Sequence, residues 1–199
     1  MSLSIPASAP FNLRSGAIFA PAQALPAQLD GYSQLQVPGA ETVWATGEVD
    51  LGQSLRLLRY YLDDEDYWLQ VLMQGEQPGD TVLFGYHSAL AVQDQAHVQA
   101  LIGAGSQIGL PICEHDGYLY SRQWCQGQGQ ADWVALHEQV KSPDGRYGIA
   151  HQSMLYARDT GLLERREFVL YSLEQDEQGA MTFTTSLGVT LFPTDFQVS

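Results

Sequence analysis

Beyond residue 40, apolar and polar side chains alternate with period two along most of the chain, a pattern that predicts strands. Val43 to Leu51 is rich in β-branched residues and is broken by Gly47. Leu55 and Leu57 alternate with Ser54 and Arg56, and the phase then changes so that Leu58, Tyr60 and Leu62 align. A skipped residue of this kind predicts a β-bulge. Tyr67, Leu69, Val71 and Met73 share one face after Asp63-Asp64-Glu65-Asp66, so the two segments read as a hairpin with a four-residue acidic loop. Thr81 to Tyr86, Ile108 to Cys113, Tyr118 to Trp124, Tyr147 to Ala157, Arg166 to Leu173 and Met181 to Leu187 continue the series. His115-Asp116-Gly117, Pro143-Asp144-Gly145 and Asp159-Thr160-Gly161 supply turns between them. One short helix is predicted near 94–102, where Asp94 can cap, Val98, Leu101 and Ile102 share a face, and Gly103 can end it. Trp133 to Val140 fits either a helix or a strand. The strand is favoured because a hairpin turn follows, and it places Glu138 on the same side as Leu136 and Val140.

These elements define a mainly β (α+β) fold: a curved antiparallel sheet, or a partly closed β-barrel or sandwich built from hairpins. The domain runs from 41 to 199 with no internal repeat. Residues 1–40 carry proline at 6, 10, 21, 26 and 38 and read as a Pro/Ala-rich N-terminal arm, either wrapped on the domain or a partly disordered tail.

Composition narrows the function more than the fold. Hydrophobic residues make up 45% of the 199, enough for a large core. Nine basic residues stand against 23 acidic ones, for a net charge of −14. Residues 63–140 hold 11 acids with Arg122 as their one cation. Nucleic acid and direct binding to an anionic membrane are therefore excluded as expectations, since both need clustered cations. No stretch has the length of a membrane-spanning helix and no secretory leader is visible at the start, so a cytoplasmic protein is expected.

Motifs for chemistry are sparse. Gly85-Tyr86-His87-Ser88-Ala89 misses the register of a nucleophile elbow, and Ser88 reads as part of an ordinary strand-to-helix loop. Cys113, His115, Cys125 and His137 offer a metal-ligating set in principle, but their spacing lacks the close pairs that zinc knuckles use, and no metal or other cofactor is expected. If residues 114–118 turn a hairpin, Cys113 falls opposite Tyr120 and not Cys125, so both thiols are expected to be free. Asp63, Asp64 and Asp66 lack the offsets of a calcium loop and read as a solvated hairpin tip. Arg165-Arg166, between Glu164 and Glu167, suggests a cross-strand charge ladder. The candidate binding residues are Arg59, Tyr61, Asp63, Asp64, Asp66, Arg122 and Trp124: rare cations beside aromatic rings, with carboxylates nearby.

Leu58-Arg59-Tyr60-Tyr61-Leu62-Asp63-Asp64 with Tyr67-Trp68-Leu69-Gln70-Val71 resembles the YjfK-like family of bacterial domains of unknown function. The resemblance continues in Ile108-Gly109, in Tyr120-Ser121-Arg122 with Trp124, and in Met154 to Arg158 ahead of Glu164 to Tyr171. It brings no catalytic residues. It implies a cytosolic accessory role near the inner membrane, beside phage-shock-type coiled-coil proteins and small membrane proteins. The leading expectation is thus a non-enzymatic adaptor for a protein partner with a basic surface, linked to membrane maintenance or envelope stress. The alternative is a small-molecule-binding domain, or an enzyme with an unfamiliar site, in a barrel mouth.

Overall fold

The structure is a computed structural model that describes residues 9–64 and 66–199; Glu65, in the acidic loop, lies outside the described residues. Strands β1 (Ile18–Pro21), β2 (Glu41–Gly52), β3 (Leu55–Leu62), β4 (Tyr67–Gln74) and β5 (Gln77–Val92) lead to β6 (Ile112–His115) and β7 (Tyr118–Arg122). After these come β8 (Val134–Ser142), β9 (Gly145–Asp159), β10 (Arg166–Gln175), β11 (Met181–Leu191) and β12 (Phe196–Val198). The helices are α1 (Leu25–Leu29) and α2 (Gln95–Ile102), and Asp94 caps α2 by accepting from the His97 amide at 2.8 Å.

Two antiparallel meanders make the frame. β2 to β5 form the first and β8 to β11 the second. The last strands pair with each other (β5 with β11), and so do the first (β2 with β8), which closes an eight-stranded antiparallel barrel. The short strands β1 and β12 extend β2 at one margin, and β6 and β7 extend β9 at another. Closure leaves the barrel wall without open edges except where those extra strands add on.

Both faces of many barrel strands are covered, which is why the alternation in sequence is uneven. Seven consecutive residues of β10, Glu167 to Leu173, are buried. The outer face packs in one large core that also takes Phe19, Leu25, Leu29 and Leu35 from the N-terminal arm and Val98 from α2. Each such apolar side chain contributes about 1.5–3 kcal/mol on burial. The phase change read in β3 has the same cause: Leu57 and Arg59 point into the barrel, while Tyr60 and Leu62 enter the outer core. β3 pairs with β4 in unbroken register, and the bulges lie instead on β2, at Trp44 and Leu51.

Other elements differ in extent. β5 runs to Val92 because β11 pairs with it that far, so Ser88 is a strand residue opposite Thr185 and not a loop residue. β6 starts at Ile112, and residues 103–111 form turns after α2. Residues 134–142 are a strand, and Cys113 does lie opposite Tyr120. The charge ladder is Glu167 against Arg158 on β9, at 2.8 Å, whereas Arg165 turns to Asp195 at 3.0 Å.

Candidate functional site: the barrel interior and its mouth

Inward-facing positions build two zones. At one end Leu57, Leu72, Val134, Leu136, Leu155 and Phe168 converge with Trp124, which follows β7. They enclose a recess of about 420 Å³, and seven of the eight barrel strands contribute to it. Gln70, Asp80, Gln123 and Arg166 are its polar lining. A recess that is mainly apolar, with a few polar groups to orient a guest, is the usual form of a small-molecule site.

Deeper in the barrel lies a dense polar network. Arg59 donates to Glu138 Oε2 at 2.6 Å and to Gln70 Oε1 at 3.3 Å, and its guanidinium lies 4.8 Å from the centre of the Trp68 ring. Tyr61 donates to Glu138 Oε1 at 2.7 Å. His151 Nε2 is 3.0 Å from Glu138 Oε2 and its Nδ1 is 3.2 Å from Ser172 Oγ, which in turn is 2.8 Å from Ser153 Oγ. An ionised carboxylate only accepts, so Nε2 carries the proton shared with Glu138. Gly47 is required opposite this carboxylate, because a Cβ there would overlap Glu138 Oε1.

The network keeps its central charge ionised. Burial alone would raise the Glu138 carboxyl, but Arg59 and hydrogen bonds from His151 and Tyr61 outweigh it and hold it at about 2. Burial raises the Glu174 carboxyl, with His151 and Thr184 partly offsetting the effect. Ser172, His151 and Glu138 form a chain that superficially suits acyl transfer. Ser172 is 2% exposed, however, which shuts out a substrate carbonyl, and Arg59 already neutralises the glutamate. The network therefore serves as scaffold for the recess.

The structure brings some of the sequence candidates together and separates others. Arg59 and Tyr61 meet inside the barrel, and Trp124 lines the mouth. Arg122 spends its donors on the carbonyls of Gly109, Gly127 and Gly129 and so clasps the segment between β7 and β8. Asp63, Asp64 and Asp66 sit in the β3–β4 loop, away from the recess; Asp63 accepts from the Thr42 amide at 3.3 Å. Cys113 is buried, Cys125 is exposed and His137 lies on the exposed face of β8, so these three and His115 do not converge. Glu138, His151 and Ser172 escaped the sequence reading, although Glu138 between Leu136 and Val140 on a buried face was a usable signal for a paired internal charge. Outside the barrel, Arg14, Arg56, Lys141 and Arg146 line a further cleft of about 680 Å³, a grouping of cations that their scattered positions conceal.

The geometry defines a closed eight-stranded antiparallel barrel with an apolar mouth over a neutralised polar interior. Over residues 5–197 the chain matches the family described as "Protein of unknown function (DUF2491)", and it belongs to that family. No curated protein and no solved structure matches it. Among the described residues, no helix is long and apolar enough to cross a membrane.

Proposed function

We propose that this protein binds a small, largely apolar molecule in the barrel mouth. The observation that carries the reading is the recess itself: about 420 Å³ of space, walled by leucines, Phe168 and Trp124, at the end of a closed barrel. An eight-stranded barrel has an interior just wide enough to be filled by side chains or to hold one small ligand, and here the filling stops short of the mouth. The polar lining at Gln70, Asp80, Gln123 and Arg166, where Arg166 is already held by Gln123 and Asp80, suits a guest with one hydrogen-bonding end. Beneath it the Trp68 indole N–H is buried without an acceptor among the described residues, a donor that a guest or a water reaching inward would satisfy. Binding, not turnover, fits the interior, where Arg59, Glu138 and His151 are committed to one another. Titration with the neutral fluorescent probe N-phenyl-1-naphthylamine should saturate at one equivalent. Leu136→Trp, which fills the recess, should weaken it by roughly tenfold or more, equivalent to about 1.4 kcal/mol. Unchanged binding in that variant would reject the reading.

A second reading, a protein partner with a basic surface, draws on the β3–β4 loop. Partial burial, together with Asp64 and Asp63, raises the Glu41 carboxyl to about 7, and its Oε2 has no hydrogen-bond partner among the described residues. A lysine or arginine brought by a partner would relieve that crowding. The YjfK-like resemblance supports the same reading and would place the protein beside phage-shock-type coiled-coil or small membrane proteins. Charge reversal of Asp63, Asp64 and Asp66 should then slow association with such a partner without altering the fold; an unchanged association rate would remove this reading.

A further inference from the structure

We propose that His87, His115 and Asp116 form a site for one divalent transition-metal ion on the outer side of the barrel. The three residues come from separate segments, β5 and the β6–β7 hairpin, yet one donor atom of each lies within 4.8 Å of the others. Asp116 Oδ2 is 3.5 Å from His87 Nε2 and 3.8 Å from His115 Nε2. Donor atoms about 2.0–2.2 Å from a zinc ion stand roughly 3.3–3.5 Å apart in a tetrahedral site. Small side-chain rotations therefore close the set, and His87, whose side chain is 40% exposed, is free to make them.

Two independent features aim these donors. First, His115 Nε2 is buried and has no hydrogen-bond partner among the described residues, whereas its Nδ1 is 3.2 Å from the Tyr171 hydroxyl. Tyr171 is in turn 3.5 Å from Cys113 Sγ, and Cys113 reaches the Glu114 carbonyl. With each group donating to the next, His115 gives its Nδ1 proton to Tyr171 and keeps a free lone pair on Nε2, the arrangement outer-shell partners impose on metal-binding histidines. Second, the register between β11 and β5 jumps from Thr185–Ser88 to Ser186–Tyr86, so His87 is the extra residue of a β-bulge. Bulges re-aim side chains, and this one sets the direction of His87.

Two imidazoles and one carboxylate favour zinc and its first-row neighbours over magnesium or calcium, which prefer all-oxygen sets. Three protein donors leave a coordination position open for water or another small ligand. A cavity of about 310 Å³ that His87 shares with Gln34, Asp66 and Tyr67 provides room beside the site.

The test is competition titration of the full chain, stripped with a chelator, using Zn²⁺ against a chromophoric chelator. One equivalent should bind, and His87→Ala and Asp116→Asn should each weaken it by roughly a hundredfold, while His137→Ala leaves it unchanged. Both ligand variants replace exposed side chains, and their melting curves verify that they fold. Co²⁺ should give visible absorption without the intense thiolate band that Cys113 would add. Failure to bind one equivalent, equal affinity in the ligand variants, or loss of the site in Cys113→Ser at full fold stability would each overturn the proposal.

Discussion

Two buried or half-buried histidines in this protein stand beside acidic residues, and their surroundings differ in one respect. His151, inside the barrel, has both ring nitrogens engaged, one by Glu138 and one by Ser172. His115, outside it, has Nδ1 engaged by Tyr171, while Nε2 has no hydrogen-bond partner among the described residues and only the Asp116 carboxylate near it, at 3.8 Å. A buried polar atom left alone costs free energy, so a fully paired group reads as structure and an orphan reads as a place for something to bind. The same contrast separates the Arg59–Glu138–His151 network inside the barrel, whose members answer one another, from the apolar mouth, where space is left over.

The largest expected effect lies in the paired region. Glu138→Ala strands the Arg59 guanidinium in the barrel and should cost about 3–5 kcal/mol, read from the denaturation midpoint. Replacing Arg59 and Glu138 together with methionine should recover much of that loss; if the double variant is as unstable as the single, the pair is not the source of the cost. Acid titration is next. The folded Glu138 carboxyl sits at about 2 against an ordinary 4.5, so its contribution is complete above about 4.5 and is lost as the pH falls towards 2. That contribution is on the order of 3 kcal/mol, and Glu138→Gln should flatten this part of the stability–pH curve.

Smaller effects sharpen the contrast between the histidines. His151→Ala leaves Glu138 and Ser172 each short of a partner and should cost about 2–3 kcal/mol in chemical denaturation. His115→Ala removes a single hydrogen bond and some ring packing, and should cost about 1 kcal/mol or less. Equal losses would erase the distinction drawn between the two. Tyr171→Phe should be milder still in melting temperature, yet it should weaken zinc binding by roughly tenfold, because it frees the imidazole to rotate.

How far this was legible in the sequence depends on the range of each interaction. Local pattern was enough for the longer strands, for the Asp94 cap and for the pairing of Cys113 with Tyr120, since neighbours along the chain decide them, whereas β1, α1 and β12 went unread because distant partners hold them. Closure through β2 and β8 joins Thr46 to Lys141 across many turns, and no local pattern announces it. Without closure, His151 and Ser172 look like outward-facing polar residues of a one-sided sheet; closure turns them inward. Arg59 stood out as a rare cation in an acidic chain, whereas Glu138 was noted only as facing the same way as Leu136 and Val140, and their pairing needed the barrel. His87 was the least legible, because a bulge on β5 sets its direction and nothing in Gly85 to Ala89 marks one.

The central claim is that the mouth, and not another surface, holds a guest. Heteronuclear NMR during titration with N-phenyl-1-naphthylamine tests it most directly. A guest in the mouth should shift the Trp124 indole and the methyl groups of Leu57, Leu136 and Leu155, and these shifts should saturate together at one equivalent. Shifts centred instead on Tyr60, Met73 and Val140 in the cationic cleft, or scattered without saturation, would contradict it.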